Sequence, residues 1–149
     1  MEEKIIDLKD LRPEERLEEE KQLLLNNGIR VSHQRLLILD YLSQNDIHPS
    51  AETIFTDLKK IDPVISQATV YNTLKILSEK NLVKELDLNL TSKRYEFARG
   101  HHSHFVCEKC GKIIDLKEMK PYNINELSDY LIESVDVTYR GLCPDCKDE

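Results

Sequence analysis

The sequence predicts an α+β fold in two parts. A helical N-terminal part is closed by a two-stranded hairpin, and a small C-terminal α/β part is built around metal. Three observations carry this. Apolar residues recur at helical spacing to about residue 80, then switch to strand-like alternation over 86–97. All four cysteines stand in two tight pairs, Cys107-Glu108-Lys109-Cys110 and Cys143-Pro144-Asp145-Cys146. Three of the five histidines, His101, His102 and His104, crowd just before the first pair.

The elements follow in order. Pro13 with Glu14 and Glu15 marks a first helical turn, with proline at N1 and acids against the helix dipole. Leu17, Leu24 and Leu25 give this helix an apolar side, and Asn26-Asn27-Gly28 ends it. Residues 33–43 form a second, widely buried helix carrying Leu36, Leu37, Ile38, Leu39, Tyr41 and Leu42. His48-Pro49-Ser50 breaks the pattern, and Ser50 caps a third helix over 51–60 with Ala51, Ile54, Phe55, Leu58 and Ile61 at helical spacing. Asp62-Pro63 ends it. Ser66 caps a fourth helix over 67–80, with Val70, Leu74 and Leu77 facing inward. Leu86, Leu88 and Leu90 then alternate with polar residues, as do Tyr95 and Phe97, giving two strands joined by a turn around 89–93. Three helices and a hairpin in this order make a winged helix-turn-helix, with 51–60 the positioning helix, 67–80 the recognition helix and 83–98 the wing. The predicted boundaries are an acidic segment over 1–12, a winged-helix domain over 13–98 and a metal-stabilised domain over 99–149.

In that last domain, Phe105-Val106 and Ile113-Ile114 flank the first CxxC as a knuckle hairpin. Ile124, Leu127 and Leu131 predict a helix over 123–133, and Val135, Val137 and Tyr139 a strand leading into the second CxxC. A CxxC turn aims two thiolates at one centre, and two such turns supply the four-sulfur tetrahedron that zinc prefers. A closed four-cysteine site is structural, since catalytic zinc keeps a water position. The sequence has neither an HExxH motif nor the H-x-E that zinc deaminases pair with PCxxC.

Composition sets limits. The chain has 149 residues, 33% of them charged, and no apolar run approaches the ~18 residues of a membrane span. The acidic start, Met1-Glu2-Glu3-Lys4, is unlike a secretory signal, so a cytoplasmic location is expected. In that reducing setting CxxC pairs read as metal ligands before disulfides or redox dithiols. The net charge is −7, with the acid concentrated in the first 27 residues and the middle nearly neutral. Nucleic-acid binding would rest on a local cluster of bases and on dimerisation, not on a general positive field.

The histidines suggest a second, nitrogen-rich site. On an extended segment His102 and His104 point the same way and can share an ion. Two imidazoles hold a divalent ion weakly, so further ligands are expected. Glu96 and Asp115, an acid within the apolar run Ile113-Ile114-Asp115-Leu116, are candidates, although a solvated strand face explains both acids as well. Imidazole with carboxylate suits Fe(II), Mn(II) or Zn(II). His48, at a helix junction, has packing or capping as its plain explanation.

Four stretches together carry a family resemblance. They are His48-Pro49-Ser50-Ala51-Glu52, Ala68-Thr69-Val70-Tyr71-Asn72-Thr73-Leu74, the HxHxxCxxCGK run over 102–112, and Tyr139-Arg140-Gly141-Leu142-Cys143-x-x-Cys146. The chain resembles the ferric uptake regulator (Fur) family from about residue 28 to 146. The resemblance implies a metal-dependent bacterial transcription repressor, not an enzyme. Such a repressor controls metal homeostasis or oxidative stress genes and acts as a homodimer on operator double-stranded DNA, with no membrane and no small-molecule substrate. The C-terminal domain becomes the dimerisation domain. The implied structural zinc ligands are Cys107, Cys110, Cys143 and Cys146, and the implied regulatory ligands are His48, Glu96, His102, His104 and Asp115. Tyr71 matches a base-contacting tyrosine, to which thymine methyls are the expected partners, and Arg30 matches the basic residue near the minor groove. Lys75, with Lys59 and Lys60, is expected at phosphates. Asn72 brings the motif nearest the peroxide-responsive (PerR-like) subgroup.

Departures from the family pattern matter. The peroxide-sensing subgroup has aspartate where Glu96 stands, and that carboxylate is tied to metal-catalysed oxidation of a ligand histidine, so glutamate argues against peroxide sensing. Many relatives use a further histidine on the strand before the last CxxC, whereas this chain passes from Val135-Asp136-Val137-Thr138 to Tyr139 without one. Ser103 stands where an acid is expected. An additional metal site is therefore expected to be absent, with His101 no sensing ligand. Two other readings use the same residues: a peroxide-sensing repressor acting by histidine oxidation, and a zinc-dependent enzyme or metal-buffering protein.

Overall fold

The structure is a computed structural model, and it describes residues 8–45, 47–87, 92–98, 103–116, 124–132 and 135–148. The chain divides into two compact units, Met1–Arg99 and Gly100–Glu149.

Among the described residues, the first unit holds four α-helices and a hairpin: α1 (Pro13–Asn26), α2 (His33–Gln44), α3 (Ala51–Lys59), α4 (Gln67–Glu79), β1 (Val83–Leu86) and β2 (Arg94–Phe97). Three serines start three helices. Ser32, Ser50 and Ser66 each accept the amide of the residue three positions on, at 3.1–3.2 Å. A short 3-10 turn at Leu8–Asp10 precedes α1, which takes Arg12 as its N-cap. Past the end of α1, Gly28 adopts φ +69°, a left-handed conformation glycine enters without a Cβ penalty, and Ile29 N–H donates to Leu24 O at 2.8 Å.

The core of this unit gathers Leu24, Ile38, Leu39, Leu42, Ile54, Leu58, Val70, Leu74, Leu77 and Val83. α2, α3 and α4 thus contribute their inward stripes and α1 contributes Leu24, and burying each such side chain is worth about 1.5–3 kcal/mol. Three expected core positions fall outside it. Leu17 and Leu25 on α1 are exposed, and Ile61, past the end of α3, is 70% exposed. In their place α1 buries Glu20 completely, and its Oε1 accepts the Ser43 hydroxyl of α2 at 2.9 Å. Close by, Arg16 Nε donates to Asp40 Oδ1 at 2.7 Å. Burial, with the Asp40 charge next in effect, pushes the Glu20 carboxyl up to about 8.

β1 and β2 pair antiparallel, with Val83 opposite Phe97 and Leu86 opposite Arg94. The expected alternation through Leu88 and Leu90, and most of the turn, lies outside the described residues.

Among the described residues, the second unit forms a three-stranded sheet in the order β4-β3-β5. Its strands are β3 (Ser103–Cys107), β4 (Ile113–Leu116) and β5 (Thr138–Gly141), and a short helix, α5 (Pro144–Lys147), follows. β3 pairs antiparallel with β4 and parallel with β5. Of the helix expected over 123–133, the described residues 124–132 show a 3-10 turn at Asn125–Leu127. Leu131 is 88% exposed and Tyr130 and Ile132 are also exposed, so the apolar stripe gains no burial to support a helix. The strand expected from Val135 begins later, at Thr138, where pairing with His104 starts.

Candidate metal centres and nucleic-acid face

The four cysteines converge. β3 ends on Cys107, and the parallel register sets Cys107 opposite Gly141, which brings Cys143 back beside it. Gly111, at φ +75°, turns the first knuckle and donates its N–H to Cys107 O at 2.9 Å. Pro144 starts α5, and Cys146 N–H donates to Cys143 O at 3.0 Å. All four sulfurs lie within 4.8 Å of one another. Cys110 Sγ and Cys143 Sγ are 3.8 Å apart, which matches the edge of a tetrahedron with zinc–sulfur bonds of about 2.3 Å. All four thiols are free of disulfides. Main-chain amides favour the first thiolate. Hydrogen bonds from the Cys110 backbone and then from Cys143, whose N–H donates at 3.4 Å, bring Cys107 down to about 6. The hydrogen bond with Cys143, followed by burial, drives Cys146 up to about 12. Zinc binds thiolates, so an ion entering this cage takes the place of the thiol protons. The cage fits structural zinc.

In the first unit His48 and Glu96 meet. Both are buried, and His48 Nε2 lies 3.0 Å from Glu96 Oε2. His48 sits between α2 and α3 at φ +51°, a left-handed conformation that costs a non-glycine residue on the order of 1–3 kcal/mol. Two bonds from β2 fix this segment. Arg94 Nη1 donates to His48 O at 3.2 Å, and Tyr95 N–H donates to Pro49 O at 3.0 Å.

In the second unit His104 and Asp115 are directly opposed across β3 and β4, with His104 Nε2 3.3 Å from Asp115 Oδ1. His104 is buried and Asp115 exposed. His102 lies outside the described residues, as does His101. Ser103 is buried at the head of β3. Of the five expected regulatory ligands, the described residues therefore contain four, as one histidine–carboxylate pair in each unit.

The outer face of α4 is polar. Tyr71, Asn72 and Lys75 share it at spacings of one, three and four residues, opposite the buried Val70, Leu74 and Leu77. Tyr71 is 44% exposed, so helix packing does not account for it. Its hydroxyl donates to Glu52 Oε1 on α3 at 2.7 Å, which holds the Glu52 carboxyl below its ordinary value. Arg30 is exposed beyond α1. Lys59 stacks over the Phe55 ring at 5.3 Å, and Lys60 lies 3.8 Å from Asp57. Sequence reasoning missed the Arg94, Glu52 and Glu20 contacts. Each joins elements distant in the chain, and only Glu52, at the start of a capped helix, lay within a motif already singled out.

A winged helix-turn-helix unit followed by a sheet unit built on a four-thiolate cage defines a class: metal-holding DNA-binding regulators. Comparison with known proteins agrees. The profile of the ferric uptake regulator family matches residues 26–137. The peroxide-responsive repressor PerR of Staphylococcus saprophyticus is 36% identical over 141 residues, covering 91% of this chain and 95% of that protein. Among solved structures, the Helicobacter pylori ferric uptake regulator, described as having three functional metal-binding sites, superposes with TM-score 0.70 at 26% identity, covering 93% of this chain and 97% of that one. PerR from Streptococcus pyogenes superposes with TM-score 0.51 at 35% identity, covering 88% and 92%. The chain belongs to the ferric uptake regulator family, whose members are metal-dependent, DNA-binding, dimeric transcriptional repressors. Among the described residues no helix is long and apolar enough to cross a membrane.

Proposed function

We propose that this chain is a cytoplasmic, homodimeric repressor, not an enzyme, whose hold on operator DNA is set by one exchangeable divalent ion. The observation that carries this is the division of histidine–carboxylate pairs between the two units: His48 with Glu96 in one, His104 with Asp115 in the other. With His102, these residues would hold Fe(II), Mn(II) or Zn(II), a donor set all three accept. The bound ion would supply positive charge that both carboxylates need, and so favour one arrangement of the units. An effector acts only through its differential affinity for two states. In a dimer, that arrangement sets two α4 helices to meet successive major grooves about 34–36 Å apart. Tyr71 and Asn72 read bases, while Arg30 and Lys75 engage phosphates. The four cysteines hold structural zinc and take no part in sensing.

Gel shifts with Mn(II), Fe(II) and Zn(II), on the wild-type chain and His102→Ala, test this. Metal should strengthen operator binding in the wild type alone. Equal binding with metal, with chelator and in the variant would overturn it.

A peroxide-sensing reading draws support from the 36% identity to a peroxide-responsive repressor and from Asn72. It predicts an added oxygen atom on His48 or His102 after Fe(II) and peroxide, read by mass spectrometry. Intact histidines with retained DNA binding would reject it, the outcome that Glu96 favours.

A further inference from the structure

We propose that Arg94 is a positioning residue for the regulatory ligand pair, holding the His48 main chain in its left-handed conformation so that the imidazole faces Glu96. This rests on His48 and Glu96 being metal ligands. Three consecutive residues of β2 grip two consecutive residues of the loop. Arg94 Nη1 binds His48 O at 3.2 Å, Tyr95 N–H binds Pro49 O at 3.0 Å, and Glu96 Oε2 lies 3.0 Å from His48 Nε2.

Side chains alternate along a strand, so Arg94 and Glu96 leave β2 on the same side. One reaches the carbonyl of His48 and the other its ring. The pairing of Leu86 with Arg94 and Lys84 with Glu96 fixes their register. On the far side of the loop, the Ser50 cap pins the start of α3. At φ +51° the His48 backbone lies in the small left-handed region, which histidine occupies more often than most non-glycine residues but which still disfavours a side chain with a Cβ. Without the guanidinium the segment relaxes to negative φ, and the imidazole swings away from Glu96.

The sign of the effect separates positioning from charge. A guanidinium near a divalent ion repels it, so an arginine acting by charge alone would give tighter metal binding when removed. A positioning arginine gives weaker binding when removed, by the 10–100-fold typical of residues that orient metal ligands.

The test is Mn(II) titration of the full-length, zinc-loaded protein. Arg94→Met keeps the aliphatic stem and loses the donor; folding is followed by circular dichroism and zinc content. Arg94→Gln, too short to reach the carbonyl, replaces it if the methionine variant does not fold. We expect a 10–100-fold weaker Mn(II) affinity with zinc content unchanged, and partial recovery in Arg94→Lys, which retains a donor. In manganese-free protein, NMR of labelled histidines should show the His48 resonances moving while those of His33 stay in place. His48→Ala is the control. If it binds Mn(II) as the wild type does, the ligand assignment itself fails. If it weakens binding while Arg94→Met binds equally well or more tightly, positioning by Arg94 is refuted.

Discussion

Replacing Cys143 with serine should unfold the second unit and leave the first intact. Among the described residues, the buried apolar set of that unit is Val106 and three of the four cysteines, with Phe105 packed against them. Val106 and Phe105 together supply a few kcal/mol, at about 1.5–3 kcal/mol for a fully buried side chain. Zinc binding to such a cage supplies on the order of 10–16 kcal/mol of apparent free energy, most of what holds a site of this kind. The first unit has its own core of helix stripes and should not notice the loss. Hydrogen exchange read by mass spectrometry is the assay. In zinc-free Cys143→Ser, amides over 103–116 and 138–148 should lose protection while those of α2 and α4 keep it. A zinc-free variant with full protection in β3 and β5 would refute the claim that metal holds this unit together.

Other outcomes follow from single contacts. Glu20, pushed up to about 8 by burial, keeps its proton when folded and loses it near pH 4.5 when unfolded. Its stabilising contribution is full below about pH 4.5 and is lost as pH rises through about 8. Glu20→Gln should therefore melt higher than the wild type at pH 8–9, by on the order of 2 kcal/mol after allowance for solvent screening, with the gap closing at pH 5. Parallel melting curves across that range would contradict it. Ser66→Ala removes the acceptor for Thr69 N–H and should cost about 1 kcal/mol in urea unfolding; an unchanged midpoint would count against the cap. Tyr71→Ala should cost about 1–3 kcal/mol in operator binding and abolish the preference for thymine over uracil, whereas an intact preference would move base contact elsewhere.

Much of the first unit was legible because its signals are local. Ser50 and Ser66 cap α3 and α4 as the sequence implies, and Val70, Leu74 and Leu77 are buried. The cysteine cage was legible because CxxC turns fix the direction of thiolates through short-range geometry. Failures arose where tertiary packing decides. Ile124, Leu127 and Leu131 have helical spacing, yet Leu131 stays exposed and only a 3-10 turn forms. Glu20 belongs to a run of acids that reads as a solvated face, and only the approach of Ser43 from α2 makes its burial tolerable. The pairing of His48 with Glu96 was reached through family resemblance, because residues so far apart in sequence carry no spacing signal. Arg94 left none at all, since its role lies in a main-chain contact.

The central claim is that one ion answers to ligands from both units. The direct measurement is operator affinity against Mn(II) activity for zinc-loaded wild-type protein, Glu96→Gln and Asp115→Asn, one carboxylate from each unit. A shared ion requires each substitution alone to remove the metal-stimulated gain in DNA binding while zinc content and melting stay unchanged. Retention of the full gain in either variant would contradict it.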